Sequence, residues 1–305
     1  MGIFRNADVR EADARYRAPV GKEHTNRMTE PDHKPNPIAA VFDRVADRYD
    51  QVGVPWFTPI AEHLVRALAP RPGERVLDIG TGRGAALWPL AAAVGDTGSV
   101  TAIDISERMI EQANREAAER GVATATITVG DAQRPAFAAT SFDAIASSLV
   151  LFFLPDPPAA LEAWIDLLVP GGRFGVSTFG PRSAAWMHLD EVFTPYLSPT
   201  LIDARTSGTR GPFASDAGVE GLLRDAGFTD IRTSHLNVDV LLDNVEQWRT
   251  WTQSHGQITH WAGIPDAELP ALLAEAAVRL EGARRDDGHI ALRQQVRYTF
   301  AVRGV

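Results

Sequence analysis

Residues 76–84 read VLDIGTGRG, a short apolar run that leads into glycines at every second position. The apolar run predicts a buried strand over residues 75–79, and helical periodicity resumes at Ala85. Glycines in such a strand-to-helix turn let a ligand approach the backbone closely and bind its N–H groups. The turn therefore predicts a small-ligand site. Because Gly80, Gly82 and Ala85 also satisfy the dinucleotide-binding fingerprint, the turn alone leaves the ligand open.

Apolar runs and helical patterns alternate on both sides of this turn. Strands are predicted over residues 75–79, 99–103, 123–129, 142–149 and 173–179, separated by helices over 85–94, 106–120 and 158–168. Amphipathic helices over 38–49 and 57–68 precede them, and the chain continues with helices over 216–226, 244–255 and 266–282 and strands over 231–242 and 294–302. This rhythm predicts an α/β fold with a doubly wound, mostly parallel sheet.

A polar extension precedes the predicted domain. Residues 1–36 mix charged residues with prolines, so we expect a flexible arm or one that docks on a second subunit of a homo-oligomer. Met28 is a candidate alternative start, and the sequence leaves the choice between Met1 and Met28 open. The domain is expected to span residues 37–305, and segments 180–212 and 244–290 are expected to form a cap over a substrate.

Composition narrows the classes of function. With 305 residues, 45% of them hydrophobic, the chain can bury a full core. It has no cysteine, which excludes disulfides and a thiol nucleophile, and we predict no metal site. Its net charge of -9 argues against a nucleic-acid substrate. No apolar run reaches the roughly 20 residues of a membrane span, and no signal peptide is evident, so a cytoplasmic protein is expected.

Acidic residues follow or end three successive predicted strands. Asp78 precedes the glycines at the end of the first strand, where a carboxylate repels a pyrophosphate and attracts a sulfonium ligand that carries an ammonium group. Asp104 ends the next strand and suits ribose hydroxyls, which NAD shares. After the third strand, Asp131 can accept from the adenine amine while a backbone N–H donates to the ring. Each acid alone could cap a helix or occupy a turn. Together they predict a ligand site at the carboxyl edge of the sheet.

These pieces together resemble the class I S-adenosylmethionine-dependent methyltransferases. The matching segments are residues 76–84, 104–106, 130–132, 142–143 and 168–172, and the stretch VFDRVADRYD at 41–50 is similar to the leading helix of the UbiE-like quinone and small-molecule branch. The resemblance covers roughly residues 38–180, 215–242 and the closing strand. It implies S-adenosyl-L-methionine as the cofactor and a Rossmann-like, seven-stranded sheet whose last strand is antiparallel, with a helical cap insertion.

The resemblance also implies roles for individual residues. The methionyl part of the cofactor is expected beside Gly80, Thr81 and Gly82, with Asp78 anchoring its amino group, Ser147 and Ser148 near its carboxylate, and Tyr49 as the candidate to close over it. The ribose is expected on Asp104, and the adenine beside Ile105, Met109, Asp131 and Ala132.

Aromatic residues concentrate in and before the predicted cap. They include Phe152, Phe153, Phe179, Trp186, Phe193 and Tyr196. Single aromatic residues are more often core, but this concentration predicts a pocket for a small hydrophobic metabolite, aromatic or prenylated, of the kind made in secondary metabolism. We assign Phe152, Phe179, Trp186 and Tyr196 to that substrate pocket, and methyl transfer to carbon or oxygen.

The proton acceptor and the reaction class are less constrained. His188 is the first candidate base, ahead of His235, His255 and His260, although a structural role outweighs catalysis for each. Two alternatives stay open. One is a nicotinamide-dependent oxidoreductase using the same turn, for which no Tyr-x-x-x-Lys motif is found. The other is a non-catalytic module that only binds the cofactor.

Overall fold

The structure is a computed structural model that describes residues 36–198 and 207–305. Its sheet contains seven strands: β1 (Arg75–Ile79), β2 (Ser99–Asp104), β3 (Ala125–Val129), β4 (Phe142–Ser148), β5 (Leu168–Arg182), β6 (Phe228–Leu242) and β7 (Ile290–Arg303). They are ordered β3-β2-β1-β4-β5-β7-β6. The pairs from β3 to β5 are parallel, whereas β7 runs antiparallel to both of its neighbours. The predicted mostly parallel sheet with an antiparallel last strand is confirmed.

Helices cover both faces of this sheet. In chain order they are α1 (Pro37–Val45), α2 (Phe57–Leu68), α3 (Leu87–Val94), α4 (Glu107–Arg120), α5 (Pro157–Leu167), α6 (Ala184–Asp190), α7 (Asp216–Asp225), α8 (Val245–Thr252), α9 (Ile258–Trp261) and α10 (Leu269–Glu281). Short 3-10 helices span Leu151–Phe153, Glu191–Tyr196, Ser207–Thr209 and Gly211–Ala214. None of the described helices is both long and apolar enough to span a membrane.

Local sequence sets the helix ends. Helix α4 begins after Ser106, whose hydroxyl accepts a hydrogen bond from the Met109 N–H at 3.1 Å, and it ends at Gly121 with φ +67°. A serine N-cap and a left-handed glycine after the last turn are the usual helix boundaries. These signals explain why the sequence located this helix well.

The strand order creates a switch point between β1 and β4. Strand β2 lies on one side of β1 and β4 on the other, so the chain leaves β1 and β4 in opposite directions across the sheet. In doubly wound folds, ligands bind outside the carboxyl ends of the strands at such a point. The glycine turn after β1 occupies this position.

Strand β5 is longer than predicted. Phe142 pairs with Leu168 and Ala144 with Arg173, so residues 169–172 form a bulge inside the strand. Gly171, with φ +75°, makes that bulge possible. The sequence predicted a turn before the strand, because a Pro-Gly-Gly run is a turn signal and nothing local reveals that pairing resumes on both sides of it.

Aromatic side chains pack against one another between the helical segments that connect β5, β6 and β7 along the chain. Phe193 lies 5.6 Å from Trp248 and 5.1 Å from Trp261, measured between ring centres. Both segments predicted as the cap therefore contribute to one packed group. Its function as a cap stays a prediction. The predicted extension over residues 1–36, with Met28, lies almost wholly outside the described residues.

Candidate functional site

The glycine turn is held against both neighbours of β1. The N–H groups of Gly80 and Thr81 donate to the Ile103 carbonyl oxygen on β2, at 2.8 and 2.9 Å. Gly80 has φ +73°, and a Cβ atom there would lie 2.2 Å from a methyl carbon of Val150, which follows β4. Gly82 also has positive φ, at +53°. Only glycine fits this combination of backbone angle and close approach easily.

Asp78 is a buried carboxyl group at the start of this turn. It is 1% exposed, and neither of its oxygens has a hydrogen-bond partner among the residues that the structure describes. Burial raises the pKa of Asp78 to about 7. The Thr81 hydroxyl lies close enough to oppose this rise, without completing a well-aligned hydrogen bond, and the charge of Asp104 adds to it. An uncompensated buried acid is costly, so its position indicates a cationic ligand group.

Asp104 is fixed by backbone donors. One oxygen accepts from the Gly82 N–H at 2.8 Å and the other from the Ser106 N–H at 2.9 Å. Burial raises the pKa of Asp104, while these amides and that of Ile105 act in the opposite direction. A carboxylate offers about four lone-pair sites. Asp104 therefore keeps acceptor capacity for two vicinal hydroxyl groups.

The Tyr49 ring lies close to the glycine turn. It stacks on Phe57 with ring centres 4.5 Å apart, and a Cβ atom on Gly82 would lie 3.9 Å from its Cε1. Arg83 fixes the preceding segment, because its guanidinium donates to the carbonyl oxygens of Ala46 and Asp47 at 3.2 and 3.1 Å. Burial raises the pKa of the Tyr49 phenol well above its ordinary value, so the phenol stays neutral.

The remaining predicted cofactor residues lie near the glycine turn and the ends of the neighbouring strands, and they differ in burial. Met109 is buried and packs with Val45 and Ala46 just before Tyr49, and Ile105 is half-buried. The Ser147 hydroxyl donates to the Ile79 carbonyl oxygen at 3.2 Å, and the Ser148 hydroxyl pairs with that of Ser177 at 3.0 Å. At the end of β3, Asp131 is exposed and accepts from the Gln133 N–H at 2.8 Å, while the Ala132 carbonyl oxygen accepts from Trp164 Nε1 at 2.8 Å.

A group of aromatic rings adjoins the glycine turn. We define the aromatic group as Trp56, Phe57, Phe152, Phe179, Trp186, Trp251 and His255. The ring centre of Trp56 lies 5.6 Å from Phe179, 5.7 Å from Trp186 and 5.4 Å from Trp251. Phe152 lies 5.2 Å from Phe179. The predicted pocket residues Phe152, Phe179 and Trp186 are thus brought together.

Two predicted residues are not brought to this group. Tyr196 donates its hydroxyl to Glu268 at 2.8 Å, within the segments predicted as the cap. The His188 side chain is 59% exposed and contacts Glu191 at 3.1 Å. Residues two apart on a helix point in nearly opposite directions, so the inward position of Trp186 turns His188 outward. His188 therefore lies where it cannot reach a ligand among these rings.

Sequence reasoning missed Trp56, Phe57 and Trp251 as members of the aromatic group. The signal near Trp56 is Asp50, which has φ +54° and ends the Tyr49 segment. Its carboxylate accepts from the N–H groups of Trp56, Phe57 and Thr58, at 2.9, 3.3 and 3.0 Å, and from the Thr58 hydroxyl at 2.6 Å. An aspartate six residues before a Trp-Phe-Thr run thus marks a capped helix start.

Replacing Asp50 with alanine is expected to lower the free energy of unfolding by about 1–3 kcal/mol, because four donors lose their acceptor. Urea denaturation measures this change. Asp50→Asn is the matched control, since asparagine keeps one acceptor oxygen and tolerates the left-handed backbone. If Asp50→Ala unfolds at the same urea concentration as the unchanged chain, the capping role is wrong.

Comparison with known proteins adds independent findings. Residues 76–172 match a family model described as a methyltransferase domain. The chain is 36% identical over 248 residues to nocamycin O-methyltransferase of Saccharothrix syringae, covering 77% of this chain and 88% of that protein. It is 42% identical over 166 residues to aklanonic acid methyltransferase DauC of Streptomyces sp. (strain C5), covering 54% of this chain and 76% of that protein.

The fold is also similar to solved structures. Phosphoethanolamine N-methyltransferase 2 of Haemonchus contortus, in complex with S-adenosyl-L-methionine, superimposes with a TM-score of 0.54 at 18% identity, covering 86% of this chain and 57% of that one. At that identity the likeness shows the fold alone. The family model and the curated relatives favour methyl transfer over the nicotinamide-dependent reaction that Ala85 had left open.

Proposed function

Because this chain belongs to the class I S-adenosylmethionine-dependent methyltransferases, we propose that it methylates an oxygen of a small, hydrophobic, ring-bearing acid. The observation that carries this proposal is the aromatic group, which continues directly from the rings over the glycine turn. Phe57 links the two, since it stacks on Tyr49 at 4.5 Å and contacts His255 at 5.7 Å. Among the relatives, one is named an O-methyltransferase and another acts, by its name, on an acid.

The cofactor is S-adenosyl-L-methionine, and the polar atoms of the turn fit it. We assign Asp78 to its ammonium group, because a buried carboxylate without a partner is stabilised by a cation in the same low-dielectric site. Asp104 is assigned to the ribose hydroxyls. The other assignments follow the family: Gly80, Thr81, Gly82, Ser147, Ser148 and Tyr49 for the methionyl part, and Ile105, Met109, Asp131 and Ala132 for the adenine.

When bound, the cofactor supplies an electrophilic methyl group on a sulfonium. The residues of this chain then have to orient the acceptor and exclude water. Positioning of this kind can supply on the order of 7–11 kcal/mol. The aromatic group suits both tasks, because its rings are rigid and Trp56, Trp186 and Trp251 are buried. An apolar surrounding also favours the loss of charge as the methyl group moves.

The proposed acidity of the acceptor follows from His255, the histidine of the aromatic group. Burial lowers the pKa of His255 to about 3, and its Nδ1 accepts a hydrogen bond from the Gln257 N–H at 3.4 Å. Such a histidine is a poor base toward a phenol at neutral pH. An acceptor that arrives already ionised, such as a carboxylic acid or an acidic enol, needs no base.

The proposal is tested with tritiated S-adenosyl-L-methionine and a panel of ring acids, such as naphthoic and anthracenecarboxylic acid, beside their hydrocarbons. Label is expected in the acids, as esters that mild alkali hydrolyses. Asp104→Ala, which should no longer bind the cofactor, is the control. Alkali-stable label would point to carbon methylation. If S-adenosylhomocysteine binds in calorimetry but no acid is labelled, the non-catalytic binding module becomes the better description.

A further inference from the structure

Two buried N–H groups in the aromatic group have no hydrogen-bond partner in the described structure. Trp56 and His255 are each 4% exposed, and neither Trp56 Nε1 nor His255 Nε2 has a hydrogen-bond partner within the described part of the chain. Their ring centres lie 5.8 Å apart. An indole nitrogen can only donate. Since folded proteins rarely leave buried donors unmatched, this pair indicates a ligand atom that accepts.

Hydrogen bonding also makes His255 a donor. Because the Gln257 N–H donates to Nδ1, the proton of the neutral ring resides on Nε2, at the opposite edge of the imidazole. A second set of hydrogen bonds fixes the segment that contains His255 and Gln257. Gln257 Nε2 donates to Asp190 at 3.4 Å, and Arg182 donates to the other oxygen of Asp190 at 2.6 Å. The orientation of His255 is therefore set by neighbours that a ligand would not displace.

Two chains of contacts connect this pair to the glycine turn. On one side, Tyr49 lies over Gly82 and stacks on Phe57, and Phe57 contacts His255 at 5.7 Å. On the other side, Val150, which follows β4, lies against Gly80. Two residues later, Phe152 contacts Phe179, and Phe179 stacks on Trp56. The two donors thus belong to a set of packed rings that continues from the glycine turn.

We propose that Trp56 Nε1 and His255 Nε2 bind the oxygen of the acceptor that neighbours the methylated one, as in a carboxylate or an enolate beside a carbonyl. This inference rests on the proposed function. Donors on the reacting oxygen would hold its lone pairs and weaken it as a nucleophile, whereas donors on the neighbouring oxygen orient the acceptor. Both donors are neutral, and hydrogen bonds to an anion are strong in a site without water.

The chemical balance needs no further reactant. The ionised oxygen forms the new O–C bond with an electron pair that it already carries. The C–S bond breaks and its pair remains on sulfur. No proton moves, which agrees with a histidine that acts as a donor and stays neutral.

The test compares two fluorescent probes, anthracenecarboxylate and methylanthracene, in the presence of S-adenosylhomocysteine. Trp56→Phe and His255→Phe are each expected to weaken binding of the acid about tenfold or more, and to change binding of the hydrocarbon less than about twofold. Calorimetry of S-adenosylhomocysteine should be unchanged in both. Trp248→Phe is the matched control. It removes another buried indole whose Nε1 has no hydrogen-bond partner among the described residues, but this indole packs on Phe193 and Trp261, away from the aromatic group. It should affect neither probe.

A nuclear magnetic resonance measurement keeps the test valid if His255→Phe does not fold. The indole N–H signal of Trp56, identified by its loss in Trp56→Phe, should move downfield with the acid and stay in place with methylanthracene. Equal weakening of both probes, or an unmoved indole signal at saturating acid, overturns the inference. Because binding needs no turnover, acid binding that depends on Trp56 without any methyl transfer would refute the proposed function alone.

Discussion

Replacing Asp78 with asparagine is expected to weaken binding of S-adenosylhomocysteine about a hundredfold while making the ligand-free protein more stable. The loss reflects the removal of a desolvated charge pair, in which the ligand ammonium faces a carboxylate that is 1% exposed. The gain reflects the same burial, because the carboxylate has no partner among the described residues when the ligand is absent. Calorimetry measures the first effect and urea denaturation the second.

The pH dependence of stability follows from the direction of the shift. The folded pKa of Asp78 is about 7, above the ordinary value of 3.8. Between these values the folded chain holds a proton that the unfolded chain has lost, so this group stabilises the fold at low pH and the contribution disappears as pH rises to 7. The contribution is on the order of 4 kcal/mol. Asp78→Asn should abolish this slope and be the more stable protein at neutral pH.

Binding should show the opposite dependence. The ligand ammonium stays protonated in this range and requires an ionised Asp78, so affinity should rise about tenfold per pH unit below 7 and level off above it. Asp78→Asn should give a weak, flat profile. An affinity for S-adenosylhomocysteine that is independent of pH between about 5 and 7 would refute the assignment of Asp78 to the ammonium group.

Asp78 also illustrates how far the sequence reaches. Its burial was predictable, because apolar residues flank it in a strand pattern. The absence of hydrogen-bond partners for its oxygens among the described residues was not predictable, since it depends on where Thr81 and the ends of neighbouring strands come to lie. The seven-stranded sheet was predicted from period and resemblance together, and helix α2 has the predicted bounds of Phe57–Leu68.

The aromatic group was predictable only in part. Phe152, Phe179 and Trp186 lie within 35 residues of one another along the chain, so the concentration of aromatic residues there was visible in the sequence. Trp56 and Trp251 come from distant segments and meet at 5.4 Å only through tertiary packing. No local period reports such a contact. The same limit affected His188, whose direction depends on which face of a short helix turns inward.

The glycine turn itself gives the sharpest test of backbone geometry, through Gly80 and Gly82. Both have positive φ, so alanine at either position should cost about 1–2 kcal/mol of stability from backbone strain alone. Their surroundings differ. A Cβ atom on Gly82 would meet only Tyr49 at 3.9 Å, an ordinary contact, whereas one on Gly80 would lie 2.2 Å from Val150.

Gly80→Ala should therefore lose about 2–5 kcal/mol in urea denaturation, since overpacking adds to the backbone strain. Val150 cannot move away easily, because its side chain is branched at Cβ and follows Leu149, itself at φ +60°. Combining Gly80→Ala with Val150→Ala should remove the overpacking cost and leave only the cost of backbone strain. The stability losses of the two substitutions should therefore not be additive. Equal losses for Gly80→Ala and Gly82→Ala would mean that the turn is not pressed against the end of β4. The cofactor site would then owe its shape to the glycine backbone alone.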